Sequence, residues 1–278
     1  MRVTIAVAQM TSRDDVPANV ATATTLVREA KARGARIVGL PENFAFLGEH
    51  ERDKLEAQES LDGPTISHFR ALARELEISL VLGGFQERSD DPERPFNTSV
   101  AIDARGEMVA RYRKIHMFDV DVGATARLTE SKHTRAGDKL VVTELAGVPV
   151  GLSICYDLRF GALYEALADA GAKLLTVPAA FTLLTGKDHW EVLLRARAIE
   201  FQAFVMAPAQ LGYHNPKRHS FGAAMIIDPW GTVLARCPET EGICLAEIDL
   251  AYLDEVRRRL PSLDHRRPAL YRRGGDLA

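Results

Sequence analysis

Residues 3–42 read VTIAVAQM, TSRDDVPA, NVATATTLVREAKARG and ARIVGLPE in succession. The first and last of these blocks are short apolar runs rich in Val and Ile, whereas the third repeats its apolar residues at spacings of three and four. Gly34 closes that third block as a helix C-cap would. Strand, helix and strand therefore follow one another, and TISHFRALARELE (65–77) with ISLVLGGF (78–85) renews the alternation. Such alternation favours a sheet covered by helices.

The pattern changes further along. NTSVAIDARGEMVARYRK (97–114) pairs two strand-like runs across Ala104, Arg105 and Gly106, and KLVVTELAGVPVGLSIC (139–155) does the same across Ala146 and Gly147. GALYEALADAGA (161–172) and DHWEVLLRARAIEFQ (188–202) read as helices, and KLLTVPAA (173–180) and AFVMAPAQ (203–210) as strands. FGAAMIIDPWGTVLARC (221–237) turns through Asp228 to Gly231, and GICLAEIDL (242–250) precedes a charged helix. No linker or low-complexity stretch divides these units. The expectation is one mixed α/β domain over 1–278, two sheet layers flanked by helices, with an arm-like tail from about residue 250.

The chain has 278 residues, 46% hydrophobic and 26% charged, with a formal net charge of -3. That balance argues against a broad nucleic-acid surface, despite the arginines of EVRRRL and LDHRRPALYRR. Three cysteines, Cys155, Cys237 and Cys244, are an odd and sparse set without metal-ligand spacing, which suits a reducing cytoplasm better than a disulfide framework. The N-terminus lacks a signal-peptide pattern, and no run approaches the roughly 18–20 apolar residues that span a bilayer.

Three strand-like runs end in reactive groups: VGLPENF at Glu42, ARYRK at Lys114 and VGLSIC at Cys155. Ligand sites tend to lie beyond the carboxyl ends of strands in α/β sheets. Taken singly, Glu42 reads equally well as a turn cap, Lys114 as a solvated strand end and Cys155 as a small buried hydrophobe. Cys155 stands apart because polar residues and a helix follow at once. A strand turning tightly into a helix exposes a nucleophile and aims backbone N–H groups at an oxyanion. Cys237 and Cys244 have neither a base nor such a turn beside them and read as structural.

Six blocks in fixed order carry a resemblance: LPENF, YRKIHMFDVD, LTESKHTRAGD, GLSICYDLRF, PAAFTLLTGKDHWEVLLRARAIE and DPWG. From the first strand to about Asp249 the chain resembles the nitrilase superfamily of carbon-nitrogen hydrolases. The resemblance implies an αββα sandwich with a Glu-Lys-Cys triad that cleaves non-peptide carbon-nitrogen bonds, assembled as a homodimer or larger homo-oligomer. It makes Glu42 the general base, Lys114 the cationic stabiliser, Cys155 the nucleophile and Glu130 a second glutamate. The Tyr156 N–H joins Lys114 at the oxyanion. No metal and no organic cofactor is called for, nor a nucleic-acid or membrane partner.

Within the superfamily, ICYDLRF, PAAFT and APAQLGYH are most similar to the branch that acts on deaminated glutathione. The implied reaction is hydrolysis of a primary ω-amide to acid and ammonia through a thioester. ω-Amidases of α-ketoglutaramate or α-ketosuccinamate come next, followed by nitrilases and N-carbamoyl amino acid hydrolases, then a non-catalytic scaffold; transfer of the acyl group to an amine is a further alternative. Arg159 is a candidate carboxylate clamp, and Phe181, Thr182, His189 and Trp190 are candidate pocket residues. Arg195, Arg197 and Glu200 read as helix scaffolding. Gly161, Phe201, Ala223 and Ala224 replace residues usual in relatives, and the two alanines are expected near a pocket edge or interface.

Overall fold

The structure is a computed structural model that describes residues 1–121 and 127–271. The N-terminal alternation forms β1 (Arg2–Met10), α1 (Val16–Ala32), β2 (Ile37–Leu40), α2 (Pro64–Leu76) and β3 (Ser79–Glu87). Local chemistry sets these limits. Asp15 Oδ1 accepts the Ala18 N–H at the start of α1, Pro17 sits in its first turn, and Gly34 takes φ +90° beyond its end. The first hairpin is β4 (Phe96–Ile102) with β5 (Met108–Arg113), and a small ribbon pairs β6 (Asp119–Asp121) with β7 (Arg127–Thr129).

The second half supplies β8 (Val142–Leu145), β9 (Val148–Leu152), α3 (Gly161–Asp169), β10 (Leu174–Thr176), α4 (Leu183–Phe201) and β11 (Phe204–Ala207). Then come β12 (Ala209–Asn215), β13 (Arg218–Phe221), β14 (Met225–Ile227), β15 (Val233–Arg236), β16 (Gly242–Asp249), α5 (Leu250–Arg259) and α6 (Pro268–Tyr271). One sheet runs β13-β12-β1-β2-β3-β4-β5, with β16 also paired to β1, and the other runs β15-β14-β11-β10-β9-β8.

The period-two pattern of β1 shows how the layers stack. Val3, Ile5 and Val7 join the cluster that holds Val150, Leu152, Leu174 and Val205 of the second sheet. Ala6, Ala8 and Met10, on the other face, pack with Leu26 and Val27 of α1 and Phe69 and Leu72 of α2. On the outer face of the second sheet lie Leu163, Tyr164 and Leu167 of α3 and Trp190, Leu194 and Ala198 of α4. The result is the four-layer αββα sandwich expected.

AFVMAPAQ does not form the single strand anticipated. Pro208 lacks an N–H and breaks the ladder. The chain leaves the second sheet after β11 and enters the first as β12, beside β1. The Pro208 carbonyl accepts from the Ala179 N–H at 3.0 Å, tying the segment before α4 to this crossing. Residues 250–259 form α5, with Leu250, Leu253 and Val256 buried. Among the described residues no helix is long and apolar enough to cross a membrane.

Candidate active site

Glu42 follows β2 and is 4% exposed. Its Oε1 accepts from Asn97 Nδ2 (2.9 Å) and Lys114 Nζ (3.1 Å), and its Oε2 from the Ala180 N–H (3.0 Å). Three donors hold this carboxylate, which leaves little freedom for its ionised form to turn. Close approach of β3 makes the position possible: a Cβ on Gly84, at φ +64°, would meet Glu42 Cα at 2.6 Å.

Lys114 continues the β4–β5 ladder, its N–H donating to the Asn97 carbonyl at 2.8 Å. Its ammonium is 2% exposed and bonds both Glu130 oxygens (3.0 and 2.8 Å) as well as Glu42. Burial alone would lower the lysine pKa, but Glu130 and Glu42 outweigh it and raise it well above the usual value. Burial would raise Glu130, and Lys114 with Lys54 outweighs it in turn, so Glu130 lies below its usual value. Its Oε2 also accepts the Phe118 N–H at 2.7 Å. Lys114 is thus a fixed cation between two carboxylates.

Cys155 begins a five-residue 3-10 turn, Cys155–Arg159, between β9 and α3. Its φ is +48°, a left-handed conformation rarely adopted by a side-chain-bearing residue. Burial first, then the Glu42 carboxylate, push the thiol well above its usual pKa, so it rests protonated with Glu42 as its side-chain partner. The Cys155 N–H donates to Pro178 and that of Asp157 to Ile154. Among the described residues no backbone carbonyl accepts from the Tyr156 N–H between them.

The residue that shapes this elbow is Asp157, which is fully buried. Its Oδ2 accepts from Tyr112 Oη (2.7 Å) and the Ile154 N–H (2.9 Å), and its Oδ1 from the His116 N–H (3.1 Å) and pairs with His116 Nδ1 (2.7 Å). At the far end of the turn the Leu158 carbonyl receives Arg197 Nε (3.1 Å) and Nη2 (2.9 Å). Arg197 also pairs with Glu200, and Arg195 donates to the Gly231 carbonyl, so the arginines of α4 do serve as scaffolding.

A cavity of about 530 Å³ opens over these groups and is lined by Glu42, Lys114, Glu130, Cys155 and Tyr156. Arg159, Phe181 and Thr182 also line it. The Arg159 guanidinium lies 5.8 Å from the Tyr156 ring and 5.4 Å from that of Phe181. Two expected pocket residues lie elsewhere. Trp190 is 1% exposed and donates to the Ala223 carbonyl, because its place on α4 turns it into the core. His189 sits outside the lining and, among the described residues, reaches the site through Arg159 Nη1 (3.3 Å). Ala223 and Ala224 are buried and away from this lining; Ala223 edges a separate cleft with Phe221, Arg236 and Cys237, and the Ala224 N–H is held by Gln9 Oε1. Phe201 stacks with Tyr164 in the core, and Gly161 leaves room beside Arg197.

Sequence reading passed over three groups. Asp157 was visible two residues after the cysteine, but only its burial reveals that it organises the turn. Asn97, which fixes Glu42, stands in an ordinary strand-like run. Lys54 lies in the charged stretch ERDKLE, indistinguishable from a solvated loop. Among the described residues no group of three or more His, Cys, Asp and Glu is placed to hold a metal ion.

The family model for carbon-nitrogen hydrolases matches residues 4–258. Deaminated glutathione amidase of Homo sapiens is 48% identical over 272 residues, covering 96% of this chain and 83% of that protein. The NitFhit protein of C. elegans superposes with a TM-score of 0.91 at 43% identity, over 97% of this chain and 66% of that one. Saccharomyces cerevisiae Nit3, of branch 10 of the nitrilase superfamily, gives a TM-score of 0.84 at 27% identity over 94% of each chain.

Proposed function

The chain belongs to the carbon-nitrogen hydrolase family, and on that premise we propose that it hydrolyses deaminated glutathione through a thioester on Cys155. It is a cysteine-dependent amidase. The observation that carries the site assignment is the convergence of Glu42 and Glu130 on the buried Lys114 ammonium, with the Cys155 thiol partnered by Glu42 and within reach of that charge. The 48% identity to the human deaminated glutathione amidase supports the substrate.

In the first half-reaction Glu42 takes the Cys155 proton as Sγ attacks the amide carbonyl. The developing oxyanion meets Lys114 Nζ and the Tyr156 N–H. Glu42 then returns its proton to the departing nitrogen, and the carbon-nitrogen bond breaks. In the second half-reaction Glu42 removes a proton from water, hydroxide adds to the thioester, and the proton goes back to Sγ as the acid leaves. Lys114 stays charged throughout because Glu130 and Glu42 face it. Glu130 holds that ammonium in place.

The leaving group depends on the substrate. A primary ω-amide such as α-ketoglutaramate gives ammonia. In deaminated glutathione the corresponding carbonyl carries the cysteine nitrogen, a secondary amide, so the amine released is cysteinylglycine and not the ammonia expected from the sequence. Arg159 supplies the cation for the acyl carboxylate, with Phe181 and Thr182 beside it. ω-Amidase action remains the second reading, since this acyl half is common to both substrates.

The three free cysteines fit a cytoplasmic protein. Val192 and Ile199 are exposed on α4, and Ile199 lies against Gly231, next to the exposed Trp230; this apolar surface supports a homo-oligomer. Light scattering at micromolar concentration tests the assembly: a mass of one chain would contradict it. The substrate is tested by measuring kcat/KM for deaminated glutathione, α-ketoglutaramate, a nitrile and an N-carbamoyl amino acid. Deaminated glutathione ranks first; a higher value for any of the others overturns the assignment.

A further inference from the structure

One wall of the cavity carries charges that the hydrolysis above does not use. Lys54, in the segment between β2 and α2, donates to Glu51 Oε2 (2.8 Å) and Thr134 Oγ1 (2.8 Å). Glu51 Oε1 accepts from Arg218 on β13. One carboxylate is therefore shared by two cations. All three line the cavity, with side chains 16% exposed at Lys54, 23% at Glu51 and 26% at Arg218.

An ammonium has three N–H bonds, and protein acceptors take two of those on Lys54. A ligand oxygen at the third N–H would offset the cost of holding the ammonium largely out of water. Burial accordingly pushes Lys54 down to about 8, with Glu130 and Glu42 opposing that shift and Lys114 adding to it.

The surroundings locate this cluster relative to the chemistry. Lys54 feels Glu130, Lys114 and Glu42. Arg159 instead lies against Tyr156, Phe181 and His189. Lys54 and Arg218 belong to the first sheet and its loops, whereas Arg159 follows β9 of the second. Both cationic groups line the one cavity, against different neighbours. An acyl carboxylate on Arg159 would leave the part of the cavity lined by Lys54, Glu51 and Arg218 to the leaving amine.

We infer that Lys54, Glu51 and Arg218 form a second carboxylate subsite that receives an acidic group on the leaving amine. The favoured substrate is then an amide with a carboxylate on each side of the scissile bond. In deaminated glutathione the second one is the glycine carboxylate of cysteinylglycine. α-Ketoglutaramate has nothing to place there. The inference rests on the hydrolase reading and separates its two candidate substrates.

The test compares cysteinylglycine with its C-terminal amide by isothermal titration calorimetry, on the wild type and on Lys54→Met. The wild type prefers the acid by about 10-fold or more, and Lys54→Met reduces that preference to within about twofold. Because the ligand is changed as well as the protein, a fold defect in the variant cannot mimic the wild-type preference. Equal binding of acid and amide by the wild type, or an unaltered preference in Lys54→Met, overturns the inference. In kinetics, the kcat/KM ratio of deaminated glutathione over α-ketoglutaramate falls about 10-fold in Lys54→Met. An equal fall for both substrates contradicts a subsite for the leaving amine. Failure of the hydrolase reading looks different: the wild type turns over neither amide, while the calorimetry still reads the subsite.

Discussion

The nucleophile elbow and the cavity wall at Lys54 are both built from ions and hydrogen bonds, yet they are held in different ways. At the elbow, a fully buried Asp157 takes two backbone N–H groups and the Tyr112 hydroxyl and pairs with His116, while the 7%-exposed Arg197 clamps the Leu158 carbonyl. At the wall, Lys54, Glu51 and Arg218 are half-buried side chains joined mainly to one another. Buried networks around a strained backbone fix where reacting atoms sit. Partly solvated ion pairs hold less strongly and are free to exchange partners with a ligand. Reaction type and substrate choice are thereby entrusted to different parts of the molecule.

Substitutions that separate the two regions test that division, and the largest effect belongs to the nucleophile. Cys155→Ala removes the covalent catalyst and lowers kcat by about four orders of magnitude or more, measured as amine release. Its melting temperature stays close to that of the wild type, since the carbon framework of the turn is retained. A substantial residual kcat would break the assignment of the elbow as the reacting region.

Next comes Asp157→Ala, which strands the donors gathered on one buried carboxylate. It destabilises the fold by about 3–5 kcal/mol, read from urea unfolding, and reduces kcat as the φ +48° turn relaxes. An unchanged unfolding midpoint would show that the elbow is not held by this network. Arg159→Met, by contrast, raises KM about 10-fold with little change in stability, because among the described residues the guanidinium rests on aromatic rings and bonds His189 alone. A fall in kcat without a rise in KM would place Arg159 with the elbow instead of the substrate.

The smallest effect is a pH dependence. Lys54 is charged below its pKa of about 8 and neutral above it. The preference for cysteinylglycine over its C-terminal amide should therefore weaken as pH rises through 8, the amino group and thiol that titrate nearby being common to both ligands. Lys54→Arg carries its charge to higher pH, so it removes the drop. Parallel loss for acid and amide would assign the pH dependence to another group.

This contrast also sets what the sequence reveals. The sandwich is legible because β1, β2 and β3 alternate with helices whose apolar faces recur at helical spacing. Glu42, Lys114 and Cys155 are legible because each ends a strand, and strand ends converge. The wall is not, since Lys54 and Arg218 lie far apart in the chain and meet only when β13 closes beside the loop after β2. Trp190 misleads for a related reason: Leu184, Thr185 and Lys187 earlier on its helix line the cavity, but the helical turn carries its ring inward to Ala223. The division of AFVMAPAQ between two sheets depends on Pro208, whose effect on register needs both sheets to be in place.

Covalent capture tests the central claim most directly. Wild-type protein mixed with deaminated glutathione, quenched in acid within one turnover and digested, should yield a peptide containing Cys155 with the α-ketoglutaryl group in thioester linkage. The adduct should be absent from Cys155→Ala. Turnover without any adduct on Cys155, or an adduct on Cys237 or Cys244 that forms at the rate of product release, would contradict the account.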